Sequence, residues 1–293
     1  MSDNTKASGP ESGAARSWLA GAGIDRAVIE LRPDYTALIF VAEGLLPGPS
    51  DEASDALLAD AEAFARKAMA GGGPEDLAPV AAWRAAYQAF GAKPKRTRPS
   101  VEALLRRVDA GLPRIDRLTD IYNAMSVRYL LPIGGEDLDR YVGSARLVRA
   151  SGDEPFDTVK DGEPVVDHPE PGEVVWRDDA GVTCRAWNWR QCVRTRITSS
   201  TSRAIFILDG LAELGDTALQ SAGQDLAEHI CALNPDATVI SRLLAPWAEA
   251  FLPVGRSFRL YSGKLSHLFG SDLLPGNSRR YCGCFGLIIA HQL

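Results

Sequence analysis

The chain has 293 residues, 45% hydrophobic and 24% charged, with a formal net charge of -6. That length and balance suit one large soluble domain or two small ones, and the acidic total argues against a general nucleic-acid coat and gives no reason to expect DNA as a partner. No apolar run approaches the roughly 20 residues that span a bilayer, and the polar opening MSDNTKASGPESGAARS lacks the apolar centre of a secretory signal, so a cytoplasmic protein with no membrane partner is expected.

Residues 1–20 are expected to be a disordered tail, because they bury too little apolar surface to offset ordering entropy. RAVIELRPDYTALIFVAEG predicts two strands around a turn at Arg32-Pro33-Asp34. SDEASDALLADAEAFARKAMAGGG predicts a helix with Ser50 as N-cap, a stripe of Leu57, Leu58, Ala61, Phe64, Ala65 and Ala68, and a stop at Gly71–Gly73. A second helix is predicted from Pro74 to Phe90, where Trp83, Tyr87 and Phe90 share a face. Such a stripe usually packs in a core; base stacking is the other use of it.

The linker GAKPKRTRP is basic and bounded by proline, hence exposed. SVEALLRRVDAG predicts a short helix capped by Ser100 and ended by Gly111, with Val101, Leu104, Leu105 and Val108 inward. Between Trp83 and Arg117 nine basic residues stand against three acidic ones, an excess of six positives. Lys93, Lys95, Arg96, Arg98, Arg106 and Arg107 form its centre. Such a patch either holds phosphates or is a solvated face paired with the acidic remainder.

RLTDIYNAMSVRYLLPIGGEDL predicts an amphipathic helix that breaks into a glycine-bearing loop. Leu118, Ile121, Tyr122, Met125 and Tyr129 lie on one side, and Asp120 and Asn123 on the other. From Gly134-Gly135 onward the pattern is that of strands. GSARLVRASGDEPF and PGEVVWRDDAGVTCRAWNWRQC alternate, and TSRAIFILDGL reads as a short buried strand. GDTALQSAGQDLAEHICALNP predicts a helix with Leu219, Leu226, Ile230 and Leu233 inward, and DATVISRLL a final strand. The interleaving implies a mixed α/β (α+β) domain over residues 21–250, its sheets covered by helices. Residues 251–293 show no consistent period and are left as an unplaced C-terminal extension.

The five cysteines are Cys184, Cys192, Cys231, Cys282 and Cys284. Their number is odd and no CxxC pair with a second pair occurs, so free thiols are expected and no metal or cofactor, the other reading being that Cys282-Gly-Cys284 binds metal or oxidises. His168 and His229 read as structural. No histidine adjoins the hydroxyl cluster Thr198–Ser202, so a serine triad has no support.

The remaining polar residues carry two readings each. Asp120 and Asn123 are helix-surface or loop-capping residues, or they hold a ligand's ammonium group and carbonyl. Glu136 and Asp137 cap the next segment or bind an ammonium group. Period two in CRAWNWRQC places Arg185, Trp187 and Trp189 on one face and Ala186, Asn188 and Arg190 on the other, a packed strand or a pocket wall. Thr201 caps a strand end or bonds a ribose. Asp209 closes a strand as a rim candidate.

The succession from YQAFGAKPKRTRPSVEALLRRVDAG through RLTDIYNAMSVRYLLPIGGEDLD and GEVVWRDDAGVTCRAWNWRQCVRTRIT to TSRAIFILDG resembles freestanding B3/B4-domain proteins. These are relatives of the tRNA-editing domain in the phenylalanyl-tRNA synthetase β subunit. The resemblance runs from about Trp83 to about Leu244. It places Arg98-Pro99 before the family's first helix and Asp120-Ile121-Tyr122-Asn123 on its helix signature. It implies the B3/B4-like fold, tRNA or aminoacyl-tRNA as partner, and hydrolysis of mischarged aminoacyl-tRNA in trans, without aminoacylation. On that reading Asn123 or groups of the substrate orient the attacking water, and backbone amides near Gly134 and Gly135 hold the oxyanion. Asp120, Glu136, Asp137, Asn188, Arg190, Thr201 and Asp209 contact the substrate, and the lysine and arginine stretch holds phosphates. The family's pocket histidine is absent; Gly134-Gly135-Glu136-Asp137 stands in its place, so no histidine step carries over. The alternative is a non-catalytic module that binds tRNA, an amino acid or a metabolite.

Overall fold

The computed structural model describes residues 10–93 and 95–246. The expected extension at 251–293, the start of the expected tail at residues 1–9, and Cys282 and Cys284 lie outside the described residues. In chain order the elements are α1 (Pro10–Gly21), β1 (Gly23–Ile24), α2 (Arg26–Leu31), β2 (Thr36–Glu43), α3 (Glu52–Ala68), α4 (Ala78–Ala89), α5 (Ser100–Leu105) and α6 (Arg117–Tyr129). There follow β3 (Ile133–Asp137), β4 (Arg146–Arg149), β5 (Phe156–Lys160), β6 (Glu163–Asp167), β7 (Val174–Arg177), β8 (Val182–Arg185), β9 (Arg190–Gln191), β10 (Arg203–Gly210), α7 (Asp216–Leu233) and β11 (Thr238–Leu244).

Strands β11, β2, β10 and β3 form, in that order, an antiparallel sheet. Its two central strands, TALIFVAE and RAIFILDG, are apolar without clear alternation because both faces are covered. Leu38, Phe40, Phe206 and Leu208 pack with Leu58 of α3, Ile121 of α6 and Leu226 of α7. Ile39, Val41, Ile205 and Ile207 pack with Trp83 and Tyr87 of α4 and with Trp176 and Trp187. Those tryptophans belong to a second sheet, ordered β1-β4-β7-β8-β9, while β5 and β6 make a separate hairpin. Helices, one sheet and the other sheet are thus stacked in layers, which is the mixed α/β architecture expected from the sequence.

Several local expectations are corrected. Residues 10–20, placed in the disordered tail, are largely helix α1, which buries Ala15 and Leu19. RAVIEL is helix α2, not a strand. The Asp25 carboxylate accepts the Ala27 N–H at 2.8 Å and caps it, and that local bond outweighs the β-branched Val28 and Ile29. The cap of α3 is Asp51, which forms a capping box with Ser54, rather than Ser50. Phe64 in its predicted apolar stripe is 40% exposed. Helix α5 stops at Leu105, six residues before Gly111, and Pro99 occupies its cap position.

The double glycine lies inside the strand β3 rather than in a loop. A Cβ on Gly135 would sit 2.8 Å from Tyr122 and 3.0 Å from both Ile197 and Phe206, whereas one on Gly134 would meet nothing nearer than Gln191 at 3.8 Å. Gly135→Ala is therefore expected to destabilise the fold by about 1–3 kcal/mol through overpacking, and Gly134→Ala by much less; urea denaturation of both variants checks the contrast.

CRAWNWRQC is not one strand. The chain leaves β8 at Arg185 and enters β9 at Arg190, turning through Ala186 and Trp187 at φ of 43° and 65°. Positive φ in residues other than glycine has a steric cost. Here it is held by the Trp187 N–H bond to the Val174 carbonyl at 2.6 Å and by complete burial of the indole.

Candidate functional site

The free side of β3 meets α5, α6 and the β8–β9 turn around a cavity of about 270 Å³, near the small end of ligand sites at roughly 300–1,000 Å³. Its apolar lining comes from Tyr122, Ile133, Trp176, Trp187 and Ile207, and its polar lining from Asn123, Glu136, Asn188, Gln191 and Asp209. Arg107 and Arg190, both exposed, stand at its solvent side. The amide-bearing helix, the glycine strand and the tryptophan segment, far apart in sequence, enclose one hollow.

Asp209 is the last residue but one of the apolar strand β10 and faces the second sheet. It accepts the Tyr35 hydroxyl at 2.5 Å and the Asn188 amide at 3.1 Å, while the Asn188 oxygen accepts the Tyr87 hydroxyl at 2.8 Å. Burial pushes the Asp209 carboxyl up to about 7, although both hydrogen bonds pull it down. Glu136 on β3 accepts the Tyr141 hydroxyl at 2.8 Å. Burial pushes it up to about 7 too, opposed by that hydroxyl and reinforced by Asp178. Two carboxyl groups therefore line one cavity, each divided between its charged and neutral forms near neutrality. Cys184 also lines the cavity, but burial pushes its thiol well above the ordinary range, so it is no nucleophile.

The sign of the resulting pH dependence is fixed. Glu136 and Asp209 start from ordinary values of 4.5 and 3.8 and are raised on folding. Their contribution to stability is complete below about pH 4 and is lost as pH rises through about 7, on the order of 3 kcal/mol each. Melting temperature is expected to fall between pH 5 and pH 8, and Asp209→Asn to flatten that fall. Thermal melts across the range check it. In the opposite sense Glu62 is buried, which pushes its carboxyl up, but Arg114 at 2.6 Å and the Leu112 N–H outweigh that and hold it below its ordinary value, a support lost in acid.

Three residues expected at the substrate lie elsewhere. Asp120, in the first turn of α6, is fully buried, accepting the Ile115 N–H at 2.9 Å and the Ser54 hydroxyl at 3.1 Å, and it pins α6 to α3. Asp137 accepts the Thr201 hydroxyl at 2.6 Å and the Asp139 N–H at 2.9 Å, so Asp137 and Thr201 close a turn together. The expected oxyanion amides also fail on geometry. The Asp137 N–H bonds outward to Thr195, so by strand alternation the Gly134 N–H is spent on β10. Gly135, whose N–H faces the other edge, does not line the cavity.

The basic stretch divides. Glu102, completely buried, draws Arg84 to 2.7 Å, Arg106 to 2.9 Å and Arg98 to 3.7 Å. Lys93, Lys95, Arg96 and Arg107 are exposed and pair with no carboxylate among the described residues. Arg96, Arg98, Arg106 and Arg107 line a second cavity of about 230 Å³, and it shares Ala103, Arg107 and Trp189 with the first. Arg190 lies over the Trp189 ring at 4.6 Å. Among the described residues no cluster of side chains has the makings of a metal site, and no helix is long and apolar enough to cross a membrane.

Residue reading missed Tyr35, Tyr87 and Tyr141, which hold the polar floor, and Gln191, whose amide donates to the Gly135 carbonyl at 2.7 Å. The available signal was Asp209, a carboxylate ending a run that is otherwise apolar. It demands buried donors, and buried tyrosines supply one.

The family model described as B3/4 domain matches residues 82–220, an interval that contains every residue lining the first cavity. Fourteen chains of solved structures match as well. One is an N-terminal fragment of the phenylalanyl-tRNA synthetase β subunit from Pyrococcus horikoshii, 14% identical over 76% of this chain and 50% of its own, at a TM-score of 0.36. This chain thus spans about half the length of that fragment. No curated protein matches. The hollow at the β3 edge is accordingly lined by the stretch of this chain, residues 82–220, that is similar to the B3/4 domain.

Proposed function

We propose that the chain hydrolyses aminoacyl-tRNA in trans, taking the aminoacyl group into the first cavity. The observation that carries this reading is that Asn123, Glu136, Asn188 and Asp209 converge on one hollow whose solvent side adjoins an arginine-lined recess. An aminoacyl ester is already activated, so positioning and a modest base suffice. Glu136, substantially ionised near neutrality, takes a proton from water as the water oxygen bonds to the ester carbonyl carbon. The carbonyl oxygen is met by the Asn123 amide, which has no hydrogen-bond partner among the described residues. The carbon–oxygen bond to the ribose then breaks, and Glu136 returns its proton to the leaving ribose oxygen. Aminoacylation needs nucleotide activation of the amino acid and forms no part of this chemistry.

Purified protein incubated with a panel of mischarged tRNAs is expected to release amino acid faster than the spontaneous rate for at least one member. No release across a full panel overturns the reading.

A second reading has its own support. Asn188 and Asp209 are satisfied by Tyr87 and Tyr35, as suits a pocket that binds without reacting. Under that reading tRNA or a small amino acid binds unchanged. A steep fall of affinity with salt marks RNA, and tight salt-insensitive binding marks the small ligand.

A further inference from the structure

The second cavity supplies no group to the bond-making and bond-breaking proposed above, yet its chemistry is specific. Four guanidinium groups, those of Arg96, Arg98, Arg106 and Arg107, line one small recess. Buried Glu102 and half-exposed Glu75 offset part of this charge: Arg106 bonds Glu75 at 2.6 Å and Glu102 at 2.9 Å. Glu102 also holds Arg84, so these two carboxylates are already shared among three arginines. Arg96 and Arg107 are left without a counter-charge among the described residues. The buried Arg98 Nε lies 3.7 Å from the Glu102 carboxylate, too far for a hydrogen bond, and one oxygen of that carboxylate is likewise without a donor. Two cations without a counter-charge, Arg96 and Arg107, lining one hollow beside Arg98 and Arg106 define a place for an oxyanion. Glu102 makes the place rigid, since it fixes Arg106 through two nitrogens, at 3.0 and 2.9 Å.

We infer that this recess is a phosphate subsite for the terminal nucleotide of the RNA whose acyl group enters the first cavity. The inference rests on the hydrolase reading and adds a polarity to it. The two hollows share Ala103, Arg107 and Trp189, so the ester and its ribose lie at that common wall, with the 5′-phosphate of the same nucleotide one ribose away among the arginines. Arginine suits the task, because its planar donors match phosphate oxygens in pairs.

Adenosine 5′-monophosphate and inorganic phosphate, titrated calorimetrically into the full chain, are expected to bind saturably and to compete. Arg96→Glu, an exposed residue with no ion pair to lose, should weaken the mononucleotide by about tenfold or more, as expected for a charge-assisted contact turned repulsive. Lys67→Glu makes the same charge change on α3, away from both cavities, and should alter affinity less than about twofold. Uncharged tRNA should bind more tightly than the same tRNA trimmed of its 3′-terminal nucleotide, which separates an RNA end from a free nucleotide as the natural ligand. Absence of saturable mononucleotide binding overturns the inference, as does an equal loss in Arg96→Glu and Lys67→Glu, or indifference to trimming. None of these measurements requires hydrolysis, so the subsite and the hydrolase reading fail separately.

Discussion

Glu136→Gln is expected to reduce the rate of aminoacyl-ester hydrolysis by about 10²–10⁴-fold, the usual worth of a positioned general base. The substitution is nearly isosteric. Glutamine keeps an oxygen that can accept the Tyr141 hydroxyl, now at 2.8 Å from the carboxylate, so the pocket wall should survive. Wild-type activity should rise with pH through about 7 as Glu136 loses its proton, and the residual rate of the variant should lack that inflection. Stability supplies the control. At pH 8 the buried wild-type carboxylate is charged in a poorly solvated place, so the neutral amide should melt no lower than the wild type. A variant that melts normally and hydrolyses at the wild-type rate would remove Glu136 from the chemistry.

Trp187→Ala is expected to cost about 3–5 kcal/mol, the range for deleting a large aromatic from a packed core. The side chain is fully buried. Its ring lies 4.9 Å from that of Tyr35, 5.3 Å from Trp83 and 6.3 Å from Phe90, measured between centroids. It joins the four-stranded sheet to α4 and also forms a wall of the first cavity, so truncation should both loosen the fold and disturb the site. A loss of this size should lower the melting temperature by about 10 °C or more in a domain of roughly 200 residues. Trp187→Phe, which retains an aromatic ring, should lose distinctly less. Calorimetric melts of the two variants decide it; a small shift for the alanine variant would mean that this interface relaxes freely.

Helices with an apolar stripe were legible before any coordinates. In α7 the stripe and the burial coincide at Leu219, Leu226 and Ile230, because helical periodicity and burial on one face are the same physical fact, whereas α6 buries Asp120 and Asn123 on its expected polar side as well as Leu118, Ile121 and Met125. The central strands were legible as continuous apolar runs, and so was a basic excess near Arg107. The convergence of Asn123, Glu136 and Asn188 was foreseeable as a question, and the resemblance to B3/B4-domain proteins supplied that question more than any spacing did.

Short segments ruled by a single cap or turn were not legible. RAVIEL has the β-branched composition of a strand, yet one hydrogen bond from Asp25 makes it a helix. CRAWNWRQC alternates on paper, but positive φ at Ala186 and Trp187 rotates its side chains out of that alternation. No residue type announces such a turn when a buried indole, and not a glycine, holds it.

The amino-acid order by itself settled which stretches are apolar on one face or two, where cations gather, and which family the middle of the chain is like. Those properties are local and survive in any compact arrangement. The partners of the polar groups were settled by the packing of sheet on sheet. Asp120, Asp137 and Thr201 found donors and acceptors within the fold, whereas Glu136 and Asn123 were left facing a hollow. A buried polar group takes whatever partner the neighbouring element brings, and that neighbour lies tens of residues away in the chain.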